Sequence, residues 1–225
     1  MGPGIDASEV VGRLARFYGP LPHPPEDAFA LYVWEVLGTR AVAGRRDSAF
    51  QALRRIPALT PDSIKKVPRP KLEAIVRQCG PFSDERVAAL ETGADVFRRR
   101  RDIDGILHGP LRRAWLTARD LPHLGTSGAQ RMLLYAGAHP VVPVDAPLMR
   151  LAARLGFVRE AVNPRRMSRE VRRTLAAWLP PDRAARQRGV QYLAHHAQST
   201  CLEVEPHCAV CPLFRHPCEG VRSSR

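Results

Sequence analysis

The chain has 225 residues and a formal net charge of +13, from 35 basic and 22 acidic residues. This length permits one large domain or two small ones with a hydrophobic core. No apolar run approaches the ~20 residues of a membrane span, which excludes an integral membrane protein of the helical type. The positive charge indicates a polyanionic partner, most simply a nucleic acid; an arginine-rich proteome is the alternative explanation.

The sequence predicts an all-α fold, because apolar residues recur at helical spacing and no stretch alternates at period two. Asp6 followed by Glu9 is typical of a capping box at the start of the first helix. Gly80 is expected to end the helix before it. In chain order, the predicted helices are at about 6–18, 27–40, 46–55, 60–66, 69–78, 84–101, 107–117, 126–137, 145–156, 167–179 and 182–198.

Four of the five cysteines lie close together near the end of the chain, spaced C-x6-C-x2-C-x6-C: Cys201, Cys208, Cys211 and Cys218. The first residues lack the apolar region of a secretion signal. We therefore expect a cytoplasmic protein in a reducing compartment, where clustered thiols bind metal rather than pair. This spacing is more typical of a 4Fe-4S cluster than of zinc, which usually takes two C-x2-C pairs or histidines; zinc is the alternative.

Two segments in the middle of the chain carry further signals. The string LPHLGTSGA at 121–129 predicts a tight turn followed by a new helix, whose first amides could hold a DNA phosphate. A purely structural turn is the alternative. In VVPVDAP at 141–147, Asp145 follows an apolar run. It is either a simple helix N-cap or a carboxylate that faces a cationic transition state.

Together these features resemble the helix-hairpin-helix (HhH-GPD) DNA glycosylase superfamily, on the branch of endonuclease III and the mismatch adenine glycosylases. That family carries an L-P-G-V-G hairpin, a V-D motif about twenty residues later and a C-terminal four-cysteine cluster. Here LPHLG, PVDAP and the four cysteines occur in the same order. The resemblance covers nearly the whole chain.

The resemblance implies two helical lobes with a DNA cleft between them. One is a six-helix bundle at 26–138 that contains the hairpin at about 115–137. The other joins 1–25 to 139–225 and holds the cluster loop at 201–218. The implied partner is double-stranded DNA with a lesion or a mismatch, from which a nucleotide is flipped out. We expect a monomer without membrane association.

The resemblance also assigns catalytic positions. Ser127 lies where bifunctional members have the lysine that forms a Schiff base, and no lysine follows Lys71, so lyase activity is not expected. Trp34-Glu35-Val36 is similar to the S-E-V of the adenine enzymes, whose glutamate protonates the leaving base. Glu35 would act as that general acid in its apolar stretch; a salt-bridged or rim glutamate is the alternative.

The expected reaction is therefore hydrolysis of the N-glycosidic bond of a damaged or mispaired base. Asp145 would stabilise the sugar cation and orient a water molecule, and Ser127 would hold that water or act only as a local cap. A homologue that binds DNA or abasic sites with little catalysis, and a bifunctional glycosylase/AP lyase, are the alternatives.

Eight positions are expected to contact DNA by this resemblance: Arg40, Pro81, Phe82, His123, Leu124, Gly125, Ser127 and Gly128. Pro81 and Phe82 correspond to an apolar wedge that enters the base stack; a simple turn between helices is the alternative. His123 replaces the first glycine of the family's hairpin, at a position that would require a positive φ.

Overall fold

The structure, a computed structural model, describes residues 6–39, 41, 44–56, 59–136, 139–159, 163–214 and 218. In these residues the chain is helical, and its only β-type pairing is an isolated bridge between Phe214 and Cys218. The predicted all-α fold is confirmed. The α-helices are α1 (Ala7–Tyr18), α2 (Ala28–Gly38), α3 (Arg45–Arg54), α4 (Pro61–Lys66), α5 (Arg69–Val76), α6 (Ser83–Arg99), α7 (Ile103–His108), α8 (Leu111–Arg119), α9 (Gly125–Tyr135), α10 (Ala146–Arg154), α11 (Pro164–Trp178) and α12 (Arg183–Ser199).

The single helix predicted at 107–117 is wrong, because two helices occupy this region. α7 ends at His108, and α8 begins at Leu111 with Pro110 as its N-cap residue. Proline has no N–H to donate to a preceding turn, and its ring clashes with the carbonyl four residues before it. Pro110 therefore separates two helices whose apolar residues resemble one continuous pattern.

The chain divides into two compact units. A central unit comprises Pro22–His139, and a discontinuous unit comprises Met1–Leu21 and Pro140–Arg225. In the described part of the chain, no helix is long and apolar enough to cross a bilayer.

The central unit is organised around α2. Nine of its eleven residues are buried, including Glu35, and α2 packs against α3, α6 and α9. Tyr32 on α2 is fully buried and donates a 2.7 Å hydrogen bond to the Ala89 carbonyl on α6. Gly93, one turn later on α6, faces the Tyr32 ring so closely that an added Cβ would lie 2.2 Å from a ring carbon. The absence of a side chain at Gly93 therefore lets α6 approach α2.

The discontinuous unit joins α1 to the C-terminal helices. α12 packs against α1 and α10, and α10 also packs against α11. Asp6, Asp145, Asn163 and Asp182 each cap a helix of this unit with a side-chain oxygen that accepts from a backbone amide. Such caps satisfy amides that have no partner within the helix.

The predicted helix-hairpin-helix lies in the central unit. α8 ends at Arg119, α9 begins at Gly125, and the two helices pack against each other. His123 has φ 64° and Gly125 has φ 60°. The positive φ expected at His123 is therefore present, in a residue type that tolerates this conformation better than most. Gly128 is buried, and a Cβ there would lie 2.9 Å from the Leu124 Cβ.

We expect Gly93→Ala to destabilise the protein by about 1–3 kcal/mol, because the new methyl group would overpack the Tyr32 ring. Urea unfolding followed by far-UV circular dichroism measures this free energy. Thr92→Ala, at the exposed neighbouring position of α6, is the matched control and should change it by less than about 0.5 kcal/mol. Equal effects of the two substitutions would contradict the packing argument.

Candidate functional site

The first turn of α9 carries Ser127, the predicted catalytic position. The N-cap residue of α9 is Leu124, which provides no side-chain hydrogen bond to the first amides. The partly buried Ser127 hydroxyl makes no hydrogen bond to another described residue. The start of α9 therefore has backbone amides that an anion could bind.

Glu35 forms an ion pair within the central unit. Its side chain is 3% exposed, and its Oε2 accepts a 2.5 Å hydrogen bond from Nε of Arg131 on α9. Of the alternatives open from the sequence, the salt-bridged glutamate is the one that the structure contains. The other oxygen, Oε1, is buried and has no hydrogen-bond partner among the described residues.

Ser127 and Arg131 are four residues apart on α9 and therefore lie on one face of the helix. Through Arg131, this face also contacts Glu35 on α2. Arg131, which the sequence analysis did not identify, thus pairs with Glu35 and lies on the helix face that carries Ser127. No local signal marks Arg131, because α9 also carries the polar residues Thr126, Ser127 and Gln130.

Pro81 and Phe82 form an exposed turn before α6. Phe82 is 43% exposed and has φ 70°, a conformation that is unusual for a bulky side chain. The buried Arg86 holds the turn: its guanidinium donates to the carbonyls of Pro81 at 2.5 Å, Gly80 at 3.3 Å and Thr39 at 2.7 Å. Arg86 is a second residue that the sequence analysis missed. Arg40, expected to contact DNA, lies outside the described residues.

Asp145 lies at the start of α10, after the buried residues Val142, Pro143 and Val144. Its Oδ1 accepts a 3.0 Å hydrogen bond from the Leu148 amide. Asp145 is therefore the N-cap residue of α10, as one of the two interpretations from the sequence expected. Asp145 as a residue is only partly buried. The cap bond therefore fixes the position of the carboxylate at the start of α10.

The other end of α10 holds the cysteine segment. Arg150 donates to the carbonyls of Ala197 at 2.7 Å and Cys201 at 3.0 Å. Arg154 donates to the Leu202 carbonyl at 2.6 Å and lies 3.3 Å from Cys201 Sγ. One helix therefore positions both Asp145 and the first cysteine.

Four cysteines, at 201, 208, 211 and 218, line one pocket of the discontinuous unit together with Arg154, His196 and Leu213. Burial raises the pKa of the Cys211 thiol, and the charges of Cys218, Cys201 and Cys208 raise it further. Four neighbouring sulfurs therefore repel one another as thiolates, and a bound cation would relieve that repulsion. The donor set fits a thiolate-ligated metal group.

Zinc and a 4Fe-4S cluster both take cysteine thiolates as ligands. Among the described residues, no three His, Cys, Asp or Glu side chains are arranged to hold one metal ion. Zinc needs its ligands about 2.3 Å from one centre, whereas a 4Fe-4S cluster takes each cysteine on a different iron. The fifth cysteine, Cys79, is buried in the central unit.

His196 is the buried polar residue next to these cysteines. Its Nε2 lies 3.6 Å from Cys211 Sγ, and its Nδ1 lies 2.7 Å from the Tyr18 hydroxyl. Burial, followed by the neighbouring His195, lowers the pKa of His196 to about 4. Burial also raises the pKa of Tyr18. Both groups are therefore uncharged at neutral pH.

Comparison with known proteins reveals similarity in sequence and in structure. No protein-family model matches the chain. Endonuclease III-like protein 1 of Bos taurus is 30% identical over 174 residues, which are 76% of this chain and 53% of the bovine protein. The chain thus spans about half the length of that relative.

Two solved structures share the fold over nearly their whole length. A non-covalent complex of endonuclease III with DNA has a TM-score of 0.69 at 20% identity, covering 95% of each chain. A thermostable thymine-DNA glycosylase has a TM-score of 0.66 at 17% identity, covering 91% of this chain and 92% of its own. The recognition of the fold from the sequence motifs is confirmed.

We expect Arg131→Met to destabilise the protein, because Glu35 would stay buried without its cation. Breaking a buried pair costs about 3–5 kcal/mol; the expected loss is about 2–3 kcal/mol since 26% of the Arg131 side chain is exposed. Urea unfolding provides the measurement. The double variant Glu35→Leu/Arg131→Met should recover most of the loss.

The matched control for this pair is Lys65→Met. Lys65 pairs with Asp95 at 3.0 Å, and both side chains are more than a third exposed, at 35% and 40%. Its removal should cost less than about 1 kcal/mol. A double variant that is no more stable than Arg131→Met would contradict the argument from the unpaired charge.

Proposed function

Since the chain belongs to the helix-hairpin-helix DNA glycosylase superfamily, we propose that it is a monofunctional DNA glycosylase of base-excision repair. It would hydrolyse the N-glycosidic bond of a damaged or mispaired base in double-stranded DNA. The observation that carries the proposal is the Asp145 carboxylate, which the Leu148 amide fixes at the start of α10. The hairpin supports it, because Ser127 occupies the position where bifunctional members have a lysine.

Asp145 would act on the sugar. Cleavage of an N-glycosidic bond passes through an oxocarbenium-like state, which a fixed carboxylate stabilises by its negative charge. The same carboxylate would orient the attacking water. Its cap bond to Leu148 uses Oδ1, and such a preorganised position costs no rearrangement during the reaction.

Ser127 is the reason to propose hydrolysis without strand cleavage. A Schiff base with the opened sugar needs a primary amine. The three lysines of the chain lie at 65, 66 and 71, on α4 and α5, whereas the hairpin belongs to α8 and α9. The Ser127 hydroxyl can instead hold a water molecule by hydrogen bonding.

Glu35 would protonate the leaving base, and its ion pair restricts how. Oε2 is occupied by Arg131, whereas Oε1 is buried without a partner among the described residues. A buried oxygen that lacks a hydrogen bond is costly, and a proton shared with a base nitrogen would satisfy it. In this proposal, Oε1 is therefore the Glu35 atom that would face the leaving base.

DNA would be held by backbone groups and by an apolar wedge. The amides at the start of α9 can bind a phosphate, and the turn at His123, Leu124 and Gly125 with the buried Gly128 positions them. Pro81 and Phe82 are exposed at the start of α6. An exposed aromatic side chain held in a strained turn suits insertion at a kinked base step.

The proposal predicts that the protein releases free base from one or more duplexes in a panel of damaged and mispaired substrates. The strand should stay intact until alkali cleaves the abasic site, and borohydride should trap no covalent complex. Asp145→Asn should lower the rate about 100-fold or more, because it removes a transition-state charge and keeps the cap. Free base is measured by chromatography.

Asp182→Asn is the matched control, because Asp182 caps α12 in the same way and should leave activity unchanged. Strand cleavage without alkali would favour a bifunctional glycosylase/lyase. Tight binding of abasic DNA with no base release from any substrate would favour a homologue that only binds DNA, an outcome for which the Glu35–Arg131 ion pair is the supporting observation.

We also propose that the four clustered cysteines hold a 4Fe-4S cluster. When bound, the cluster would supply a cation for four mutually repelling thiolates and order a segment with few apolar residues. Protein purified without oxygen should contain about four iron atoms per chain, measured by metal analysis and by the visible absorbance of the cluster.

Substitution of Cys211 by serine should remove most of this iron, because it removes one thiolate ligand. Cys79→Ser is the matched control and should keep all of it, since Cys79 belongs to the central unit. Stoichiometric zinc in place of iron would establish the alternative metal.

A further inference from the structure

A row of hydrogen-bonding side chains leads from the cysteines into the discontinuous unit. Cys211 Sγ lies 3.6 Å from His196 Nε2, and His196 Nδ1 lies 2.7 Å from the Tyr18 hydroxyl. That hydroxyl lies 2.6 Å from Thr200 Oγ1. His196 is 1% exposed and Thr200 is 5% exposed. Each imidazole nitrogen therefore faces one protein partner and is shielded from water.

We propose that His196 is a positioning residue that donates a hydrogen bond to the Cys211 sulfur and thereby retains and tunes the cluster. This inference rests on the cluster proposed above. A cysteine sulfur bound to metal has lost its proton, so it can only accept. Nε2 of His196 must then carry the hydrogen that points at Cys211.

The direction of every other hydrogen bond in the row follows from that sulfur. A neutral imidazole with a hydrogen on Nε2 accepts at Nδ1, so Tyr18 donates its single hydrogen to His196. The Tyr18 oxygen then accepts from the Thr200 hydroxyl. Helix α1 supplies Tyr18, and α12 with the residue after it supplies the other two. Contacts between α1 and α12 therefore set the orientation of the imidazole.

The hydrogen bond has a defined effect on the cluster. An N–H group aimed at a ligating sulfur withdraws negative charge from it and stabilises the reduced, more negative state. Water cannot replace this donor, because His196 is buried. Cys201 has a different donor, the Arg154 guanidinium at 3.3 Å, so the loss of His196 affects one ligand and leaves the other supported.

The test compares the reduction potential and the retention of the cluster in three variants of the full chain. His196→Leu should lower the potential and release iron to a chelator roughly 10-fold faster, as is usual when a partner of a metal ligand is lost. Tyr18→Phe should also lower the reduction potential and speed the release of iron, but by smaller amounts. In this variant the imidazole remains but loses the hydrogen bond that orients it. Spectroelectrochemical titration and the decay of the cluster absorbance are the readouts.

His195→Gln is the matched control. His195 is exposed and its ring packs 4.6 Å from that of Tyr18, but it precedes the residue that contacts Cys211. It should behave as wild type. An equal shift in His195→Gln would indicate altered packing and overturn the hydrogen-bond role, as would wild-type potentials in the His196 and Tyr18 variants.

The outcomes separate this inference from the proposed function. If His196→Leu does not fold, as judged by far-UV circular dichroism, Tyr18→Phe decides, since it removes only a hydroxyl group. A cluster that responds to these substitutions in a protein without glycosylase activity would support the inference and refute the function. Wild-type protein that binds no iron would overturn both the cluster and the role of His196.

Discussion

Arginine side chains that donate to backbone carbonyls hold the loops on which the candidate site depends. Arg186 is 8% exposed and donates to the carbonyls of Pro140, Ala176, Leu179 and Pro180, which ties the end of α11 to the segment that leads to Asp145. Arg86 does the same for the Phe82 turn, and Arg150 and Arg154 for the cysteine segment. Carbonyls at helix ends have no partner within the helix, and a guanidinium offers five donors in one plane. Burial of such a cation is favourable only because these carbonyls satisfy it.

The sequence predicted most helices because the fold uses local signals consistently. Asp6, Asp27 and Asp182 each precede a helix and cap it, and such caps depend on residues only a few positions apart. The error at 107–117 has the same origin, since the apolar pattern continues across Pro110 and the helix does not. Helix periodicity reports which residues are apolar, whereas a proline determines whether the backbone can continue.

The sequence predicts the parts of the candidate site that depend on the spacing of nearby residues. It does not predict the parts that depend on contacts between residues far apart in the chain. The cysteine spacing and the place of Asp145 before a helix are readable in the sequence. The partner of Glu35 is 96 residues away, and no local pattern identifies it. The arginines likewise predict a polyanionic partner by their charge, although Arg86 and Arg186 are buried. Their burial follows from which carbonyls lie nearby, and that is set only when distant helices pack.

The preference of this chain for arginine connects its fold to its proposed chemistry. Lysine makes up only three of the 35 basic residues. A guanidinium keeps its charge when buried and can satisfy several carbonyls at once, whereas a buried lysine tends to lose its proton. Arginine can therefore serve both the loops and the phosphate contacts of a DNA-binding protein. It cannot replace the neutral amine that a Schiff base requires. With Ser127 in the hairpin, the proposed catalysis would depend on carboxylates and water, and these are sufficient for hydrolysis of a glycosidic bond.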